Sequence, residues 1–297
     1  MSFFIEVLAG GLLAGVMYSL VALGFVLIYK ASGVFNYAQG SLVFVAGLTF
    51  VSLLERNVNF WLAIAITLAV MVVVAVVTER VVLRPLINQP PITLFMATIG
   101  LSFVLEGLSQ MVMGAQPHGL ELGIPDVPIE WLSERANINI SQLDLFAALV
   151  AGVLVAGLAL FFQKTRIGRA LRAVADDHQA ALAVGIPLQH IWAIVWAVAG
   201  FVALVAGLMW GARNGVQYAL TFVALKALPV LILGGFESIP GAIVGGLIIG
   251  ASEKVAEVYL GPYVGGGIES WFPYVLALAF LLVRPQGLFG EKIIDRV

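Results

Sequence analysis

Long apolar runs, each about the length of a membrane-spanning helix, dominate the chain. A helix needs roughly 20 predominantly apolar residues to cross a bilayer. On that criterion the sequence predicts nine spans, at about 5–29, 38–54, 60–82, 91–113, 143–163, 189–210, 218–236, 239–260 and 270–284. The second and the seventh are short, and each is either a full span or a broken, re-entrant piece, so eight or ten spans also fit the pattern. We therefore predict an all-α polytopic membrane protein with a single transmembrane domain over residues 1–297.

Composition agrees with a lipid environment. The chain is 61% hydrophobic and only 11% charged, whereas a soluble domain carries roughly 25% charged residues. It has no Cys, and its three His are scattered, so neither disulfides nor a metal site are expected. No basic face suggests nucleic acid. The N-terminal run lacks a basic region and exceeds twenty residues, which predicts a retained first span rather than a cleaved signal peptide.

One polar segment, residues 164–187, interrupts the apolar pattern and still has helical periodicity. Four basic residues lie in its first nine positions, and apolar residues recur at helical spacing behind them. Asp177 is predicted to cap a short final helix, Gly185 to end it and Pro187 to stop it. A short amphipathic helix between two spans is typical of a surface that a soluble partner grips.

The distribution of Lys and Arg sets the expected orientation, because basic residues favour the cytoplasmic side. If 164–187 is cytoplasmic, alternation of spans places ten of the 15 basic residues inside. The N-terminus is then outside and the C-terminus cytoplasmic. The segment 114–142, rich in Pro, Gly and acidic residues, becomes an outer loop. It is either simply solvated or part of a landing surface for a soluble partner.

Polar residues within the apolar runs are candidates for a translocation path, because they are costly in lipid. Asn36 and Gln39 lie in GVFNYAQGS, between the first two spans. This stretch is either a plain cytoplasmic turn or a helix break that exposes backbone groups to a cavity.

A second polar group lies in the fourth span. Thr98, Ser102 and Glu106 are spaced by four and share one helix face. Lys226, inside the seventh span, is the expected partner of Glu106, either as a buried pair that fixes helix register or in direct contact with substrate. Glu253 and Glu257 are expected on an interfacial polar face.

Glycines four residues apart recur at Gly11/Gly15, Gly207/Gly211, Gly241/Gly245 and Gly246/Gly250. Such pairs let helices approach closely in lipid, either within this chain or against a second membrane subunit. The segment VGGLIIGA (244–251) also echoes AGGLLAGV (9–16), a weak indication of an internal repeat.

Several motifs are missing from the sequence. It has no GxxxxGK[ST], HExxH or GxSxG, and no span carries a pair of aspartates. An ATPase site and an intramembrane enzyme are therefore not expected. An ion-coupled secondary transporter acting alone would need a charged relay, for which Glu106 with Lys226 is the candidate, and it leaves the segment 164–187 without a purpose.

The combined pattern resembles the branched-chain amino acid permease family of ABC transporters. QAALAVG (179–185) is similar to the EAAxxxG signature of such permeases, with Gln in place of Glu. The stretches GVFNYAQGSL, ERVVLRPL, TIGLSFVLEG, TRIGRALRAVADDHQAALAVGI, LKALPVLILGGFESIPGAIVGGLIIGASE and VRPQGLFG extend the similarity over nearly the whole chain. NYAQG is similar to the first of the two permease types that pair in these transporters. Ser41 departs from the family, which commonly has an acid there.

The resemblance implies a multi-pass subunit of an importer in the bacterial cytoplasmic (inner) membrane. Its implied partners are a second permease, two cytoplasmic ATPases that bind the ATP and Mg²⁺, and a periplasmic solute-binding protein. The implied substrate is a branched-chain or related amino acid, with urea, short amides or other small polar solutes as alternatives. The chain itself would bind no cofactor and catalyse nothing. The residues expected to couple it to an ATPase are Arg169, Arg172, Asp176, Asp177, Ala180, Ala181 and Gly185.

Overall fold

A computed structural model describes residues 2–86, 89–136, 138–176 and 178–290. Within these ranges the chain is helical and has no β-strand, only two isolated bridges, His118–Val216 and Pro128–Ser141. The α-helices are α1 Ser2–Ser32, α2 Gln39–Glu55, α3 Phe60–Val77, α4 Pro91–Met113, α5 Glu130–Ala136, α6 Gln142–Lys164, α7 Arg166–Asp176, α8 His178–Ala183, α9 Leu188–Asn214, α10 Val223–Gly234, α11 Ile239–Val264 and α12 Phe272–Val283.

Several short helical segments of other types join these helices. A π-helical segment at Thr78–Leu83 and a 3₁₀ turn at Arg84–Leu86 extend α3. Two further 3₁₀ turns, Tyr218–Phe222 and Ile268–Ser270, precede α10 and α12. Ser238 caps α11 by accepting a hydrogen bond from the amide of Gly241 at 3.0 Å, which is the usual service of an N-cap hydroxyl.

Six helices in the described residues are long and apolar enough to cross a membrane: Ser2–Ser32, Phe60–Leu86, Pro91–Met113, Gln142–Lys164, Leu188–Asn214 and Ile239–Val264. Three shorter apolar helices, Gln39–Glu55, Tyr218–Gly234 and Phe272–Val283, lie where the other three spans were predicted. The helical membrane architecture is therefore confirmed. The count of nine, the side of each terminus and the single domain over 1–297 stay predictions.

The described chain divides into two compact units, each built from separate parts of the sequence. The first unit comprises residues 1–22, 123–156 and 225–297, and the second comprises 23–122 and 157–224. The predicted outer loop 114–142 contributes to both, and it contains the short helix α5.

In the second unit, α2 is buried on all sides, from Gln39 to Ser52. It packs against α3, α4 and α9. Gly47 and Gly207 allow the close contact with α9, since a Cβ built on Gly207 would lie 2.6 Å from the carbonyl oxygen of Val43. A helix that is apolar all round belongs in a protein core, so neighbouring helices, rather than lipid, surround this short helix.

In the first unit, α1 and α11 cross at their glycines. A Cβ on Gly11 would lie 2.6 Å from the Gly250 oxygen, and a Cβ on Gly15 would lie 2.5 Å from the Gly246 oxygen. The helices are thus antiparallel, and each echoing segment presents its second glycine to the last glycine of the other. The internal repeat suggested by the sequence stays a prediction. All four glycine pairs pack against atoms of this same chain. Close packing within the chain therefore accounts for their spacing.

Candidate functional site

The polar segment between α6 and α9 folds as two short helices, α7 and α8. Leu171 and Val174 are buried on one face of α7, and Arg166 and Arg169 are exposed on another. The predicted amphipathic helix is therefore confirmed. Its apolar face fastens it to its own chain, and its basic side remains accessible to a partner.

Arg172 has a task within the chain. Its Nη1 donates to the carbonyl oxygen of Phe162 at 2.7 Å, and its Nη2 donates to that of Gln163 at 3.4 Å. These carbonyls belong to the last turn of α6, where no helical N–H remains to satisfy them. Gly168 packs against the same Phe162 carbonyl so closely that a Cβ would overlap it. Arg172 and Gly168 therefore fix α7 to the end of α6.

Gly185 ends α8 as predicted. Its φ of +84° is left-handed, and its amide donates to Leu182 while the Ile186 amide donates to Ala181 at 2.9 Å. This is the Schellman arrangement of a glycine-terminated helix. Ala181 is buried, whereas Ala180, Leu182 and Val184 are exposed. Asp177 lies outside the described residues, as does the side chain of Asp176.

The GVFNYAQGS stretch joins α1 to α2, and it is mostly buried apart from Gly33 and Tyr37. Asn36 Oδ1 accepts a hydrogen bond from the Ala38 amide at 3.1 Å, and Tyr37 donates its amide to Thr98 Oγ1 at 3.0 Å. Asn36 Nδ2 and both amide atoms of Gln39 are buried without a hydrogen-bond partner among the described residues. Buried polar atoms normally have hydrogen-bond partners, so these side-chain amides are suited to bind a polar ligand or water.

The polar face of α4 forms as the spacing predicts, with Thr98, Ser102 and Glu106 all buried. Its carboxylate contact was not foreseen: Ser41 Oγ donates to Glu106 Oε1 at 2.5 Å. The Tyr218 hydroxyl lies beside the same carboxylate. An acid at position 41, as the family resemblance leads one to expect, would face Glu106 at contact distance and be repelled by it.

Lys226 does not have the predicted partner. Its Nζ lies 2.9 Å from Glu253 Oε1, which also accepts a hydrogen bond from the Tyr18 hydroxyl at 3.2 Å. Glu253 is 2% exposed, so it lies inside the protein and not on an exposed polar face. The pairing with Glu106 is replaced by this pair, because α10 and α11 are neighbours in the chain and in the first unit. The sequence signal that could have predicted this pair is a lysine in one apolar helix and a glutamate in the next.

Glu257, the other acid predicted at the interface, binds the chain that follows its helix. Its carboxylate accepts backbone hydrogen bonds from Gly267 at 3.0 Å and Glu269 at 2.9 Å. Lys254 lies 3.2 Å from the Glu269 carboxylate. Glu257 therefore stabilises the glycine turn between α11 and α12.

The profile of the family described as "Branched-chain amino acid transport system / permease component" matches residues 7–284. The chain belongs to this family. It is 27% identical to the high-affinity branched-chain amino acid transport system permease protein LivH of Salmonella typhimurium (strain LT2), with 99% of this chain and 98% of the relative covered. It is equally identical to BraD of Pseudomonas aeruginosa, a permease protein of the same description, with the same coverage.

Other similar proteins are named for different solutes. The fructose import permease protein FruF of Bifidobacterium longum is 27% identical over 80% of this chain and 66% of its own length. A solved chain of PsaBC from Streptococcus pneumoniae, in complex with Fab, shares 14% identity, covers 93% of this chain and 90% of its own, and superposes with a TM-score of 0.48. The family profile and the similarity to LivH confirm the resemblance found in the sequence at the level of the permease family.

Proposed function

We propose that this chain is the membrane-spanning permease subunit of an ATP-driven importer for branched-chain or related amino acids, in the bacterial cytoplasmic membrane. The observation that carries the proposal is the match to the permease family over residues 7–284, together with a surface helix pair, α7 and α8, between two apolar helices. The chain would contribute the passage, and partner subunits would contribute ATP, Mg²⁺ and hydrolysis.

In this proposal α7 and α8 dock in a groove of a cytoplasmic ATPase. The exposed guanidinium of Arg169 and the exposed apolar side chains of Leu182 and Val184 offer both charge and hydrophobic area to that groove. Arg172 transmits the movement, because it holds α7 to the last carbonyls of α6. Closure of the ATPase pair would then shift α6 as a rigid lever.

The passage is proposed to run along the buried polar residues that the sequence singled out. The unpartnered amides of Asn36 and Gln39, and the polar face of α4 with Thr98, Ser102 and Glu106, support such a path. Lys226, the remaining candidate from the sequence, has a side chain that is 33% exposed and pairs with Glu253 within the first unit. A second, homologous permease would form the opposite wall, and a periplasmic solute-binding protein would deliver substrate on the side of 114–142.

The test is uptake in proteoliposomes that contain this chain, its homologous permease, both ATPases and the binding protein. We expect leucine uptake only when ATP is supplied on the ATPase side. The competing proposal, an ion-coupled transporter acting alone, predicts uptake by this chain without partners, driven by an ion gradient. Gradient-driven uptake without ATP would contradict the proposed function.

A further inference from the structure

Three carboxylates are buried in the described residues: Glu79, Glu106 and Glu253. Glu79 forms an ion pair with Arg84, at 2.9 Å, and Glu253 forms one with Lys226, also at 2.9 Å. Within the part of the chain that the structure describes, no Lys, Arg or His forms an ion pair with Glu106, which is only 8% exposed. Buried carboxylates are normally neutralised by a cation, so Glu106 is the exception that needs an explanation.

The hydroxyl groups around Glu106 orient the carboxylate without neutralising it. Ser41 Oγ donates to Oε1 at 2.5 Å. The hydroxyl groups of Ser102 and Ser109, on the same helix, donate hydrogen bonds to backbone carbonyls at 2.8 Å and 3.0 Å. Because a hydroxyl carries one proton, neither of these two is left to donate to the carboxylate.

Two partly exposed tyrosines lie near this site. The Tyr218 hydroxyl lies beside the Glu106 carboxylate, and Tyr37 lies near Tyr218. The two tyrosines are 45% and 40% exposed. Tyr218 is held edge-on to Phe44 and Phe222, with ring centroids 6.4 Å and 5.7 Å away. Tyrosine rings attract cations, so a buried carboxylate beside partly exposed tyrosines suits a small organic cation.

We propose that the Glu106 carboxylate binds the α-ammonium group of the amino acid in transit, with Ser41 and Tyr218 as the positioning residues. This inference rests on the proposed function and adds to it the point at which the passage recognises its substrate. A primary ammonium group fits because it supplies both the missing positive charge and up to three N–H donors. A neutral solute would leave the carboxylate unpaired.

The test compares wild type and Glu106→Gln in the reconstituted complex with all its partners. Glutamine keeps the length of the side chain and one oxygen acceptor for Ser41, and it replaces the charged carboxylate with a neutral amide. We expect uptake of leucine to fall about tenfold or more, the usual effect of losing a charged hydrogen bond, while the subunits still co-purify. The exposed acid Glu237, changed to Gln, is the matched control and should transport normally.

A second test moves the carboxylate from α4 to α2, at the same place in the protein. Ser41→Glu alone places two carboxylates in contact and should impair uptake. The double variant Ser41→Glu/Glu106→Gln returns a single carboxylate to the same point from α2, and uptake should recover. A double variant as poor as Glu106→Gln would show that the acid acts through packing, and would overturn the inference.

Two other results bear on the assignment. Undiminished uptake by Glu106→Gln would overturn it and leave the proposed function intact. Wild-type uptake that requires sodium ions would identify a metal cation as the occupant and would also overturn it. If instead the wild-type complex shows no ATP-dependent uptake, the proposed function itself fails.

Discussion

At the scale of the residue, buried charge is the costly feature of this protein. Removing a charge from water costs several kcal/mol, and a partner must offset it. The pair of Lys226 and Glu253, supported by the Tyr18 hydroxyl and with Lys226 5.9 Å from the centre of the Tyr18 ring, meets this requirement inside the first unit. Glu106 receives a hydrogen bond from a hydroxyl group but forms no ion pair among the described residues. This difference distinguishes Glu253, a structural acid, from Glu106, a candidate binding acid.

The Lys226–Glu253 pair gives a prediction about stability. Lys226→Met should destabilise the protein by about 3 kcal/mol, because it leaves the Glu253 carboxylate buried and unpaired. The double variant Lys226→Met/Glu253→Gln should recover most of that loss, since no charge is then left in the core. Thermal unfolding of the detergent-purified chain measures both changes. Equal loss in the single and double variants would mean that the pair does not account for the effect.

At the scale of the element, α7 and α8 combine two faces with different duties. The buried face, with Leu171 and Val174, fastens the segment, and Arg172 ties it to α6. The exposed face, with Arg169 and Leu182, is left for a partner. Periodicity and the glycine stop predicted the helices and the end of α8. They did not distinguish Arg169 from Arg172, because both are basic and only the position of the α6 carbonyls separates their roles.

This separation gives a prediction about docking. Arg169→Glu reverses an exposed charge and should lower co-purification of the ATPase, with a matching loss of ATP-dependent uptake. The matched control is Arg56→Glu, another exposed arginine, which lies on the predicted outer side and should leave both measurements unchanged. Equal loss in both variants would indicate a general effect of reversed charge and would argue against α7 as the docking helix.

At the scale of the whole molecule, orientation decides whether an ATPase can reach α8. The chain contains no Cys, so single cysteines can be introduced without a background. Leu182→Cys and Glu121→Cys both place a thiol at an exposed position. In right-side-out vesicles, an impermeant maleimide should label position 121 and spare position 182, and inside-out vesicles should give the reverse.

The opposite labelling pattern would remove the basis of the mechanism. A thiol at position 182 that is reached from the periplasm could not contact a cytoplasmic ATPase. Labelling at position 121 from the cytoplasm would equally exclude 114–142 as the surface for a periplasmic binding protein. These assignments come from the positive-inside preference alone, so the measurement tests them directly.

The sequence by itself determined the helical membrane architecture, the permease family, the amphipathic segment and its glycine stop, and the shared face of Thr98, Ser102 and Glu106. These features depend on run length and on periodicity within one helix, which a single sequence displays. Tertiary structure alone decided which helices meet. It brought Ser41 to Glu106 across 65 positions and Glu253 to Lys226 across 27, because the partner of a buried charge is set by packing in space, which local pattern does not encode.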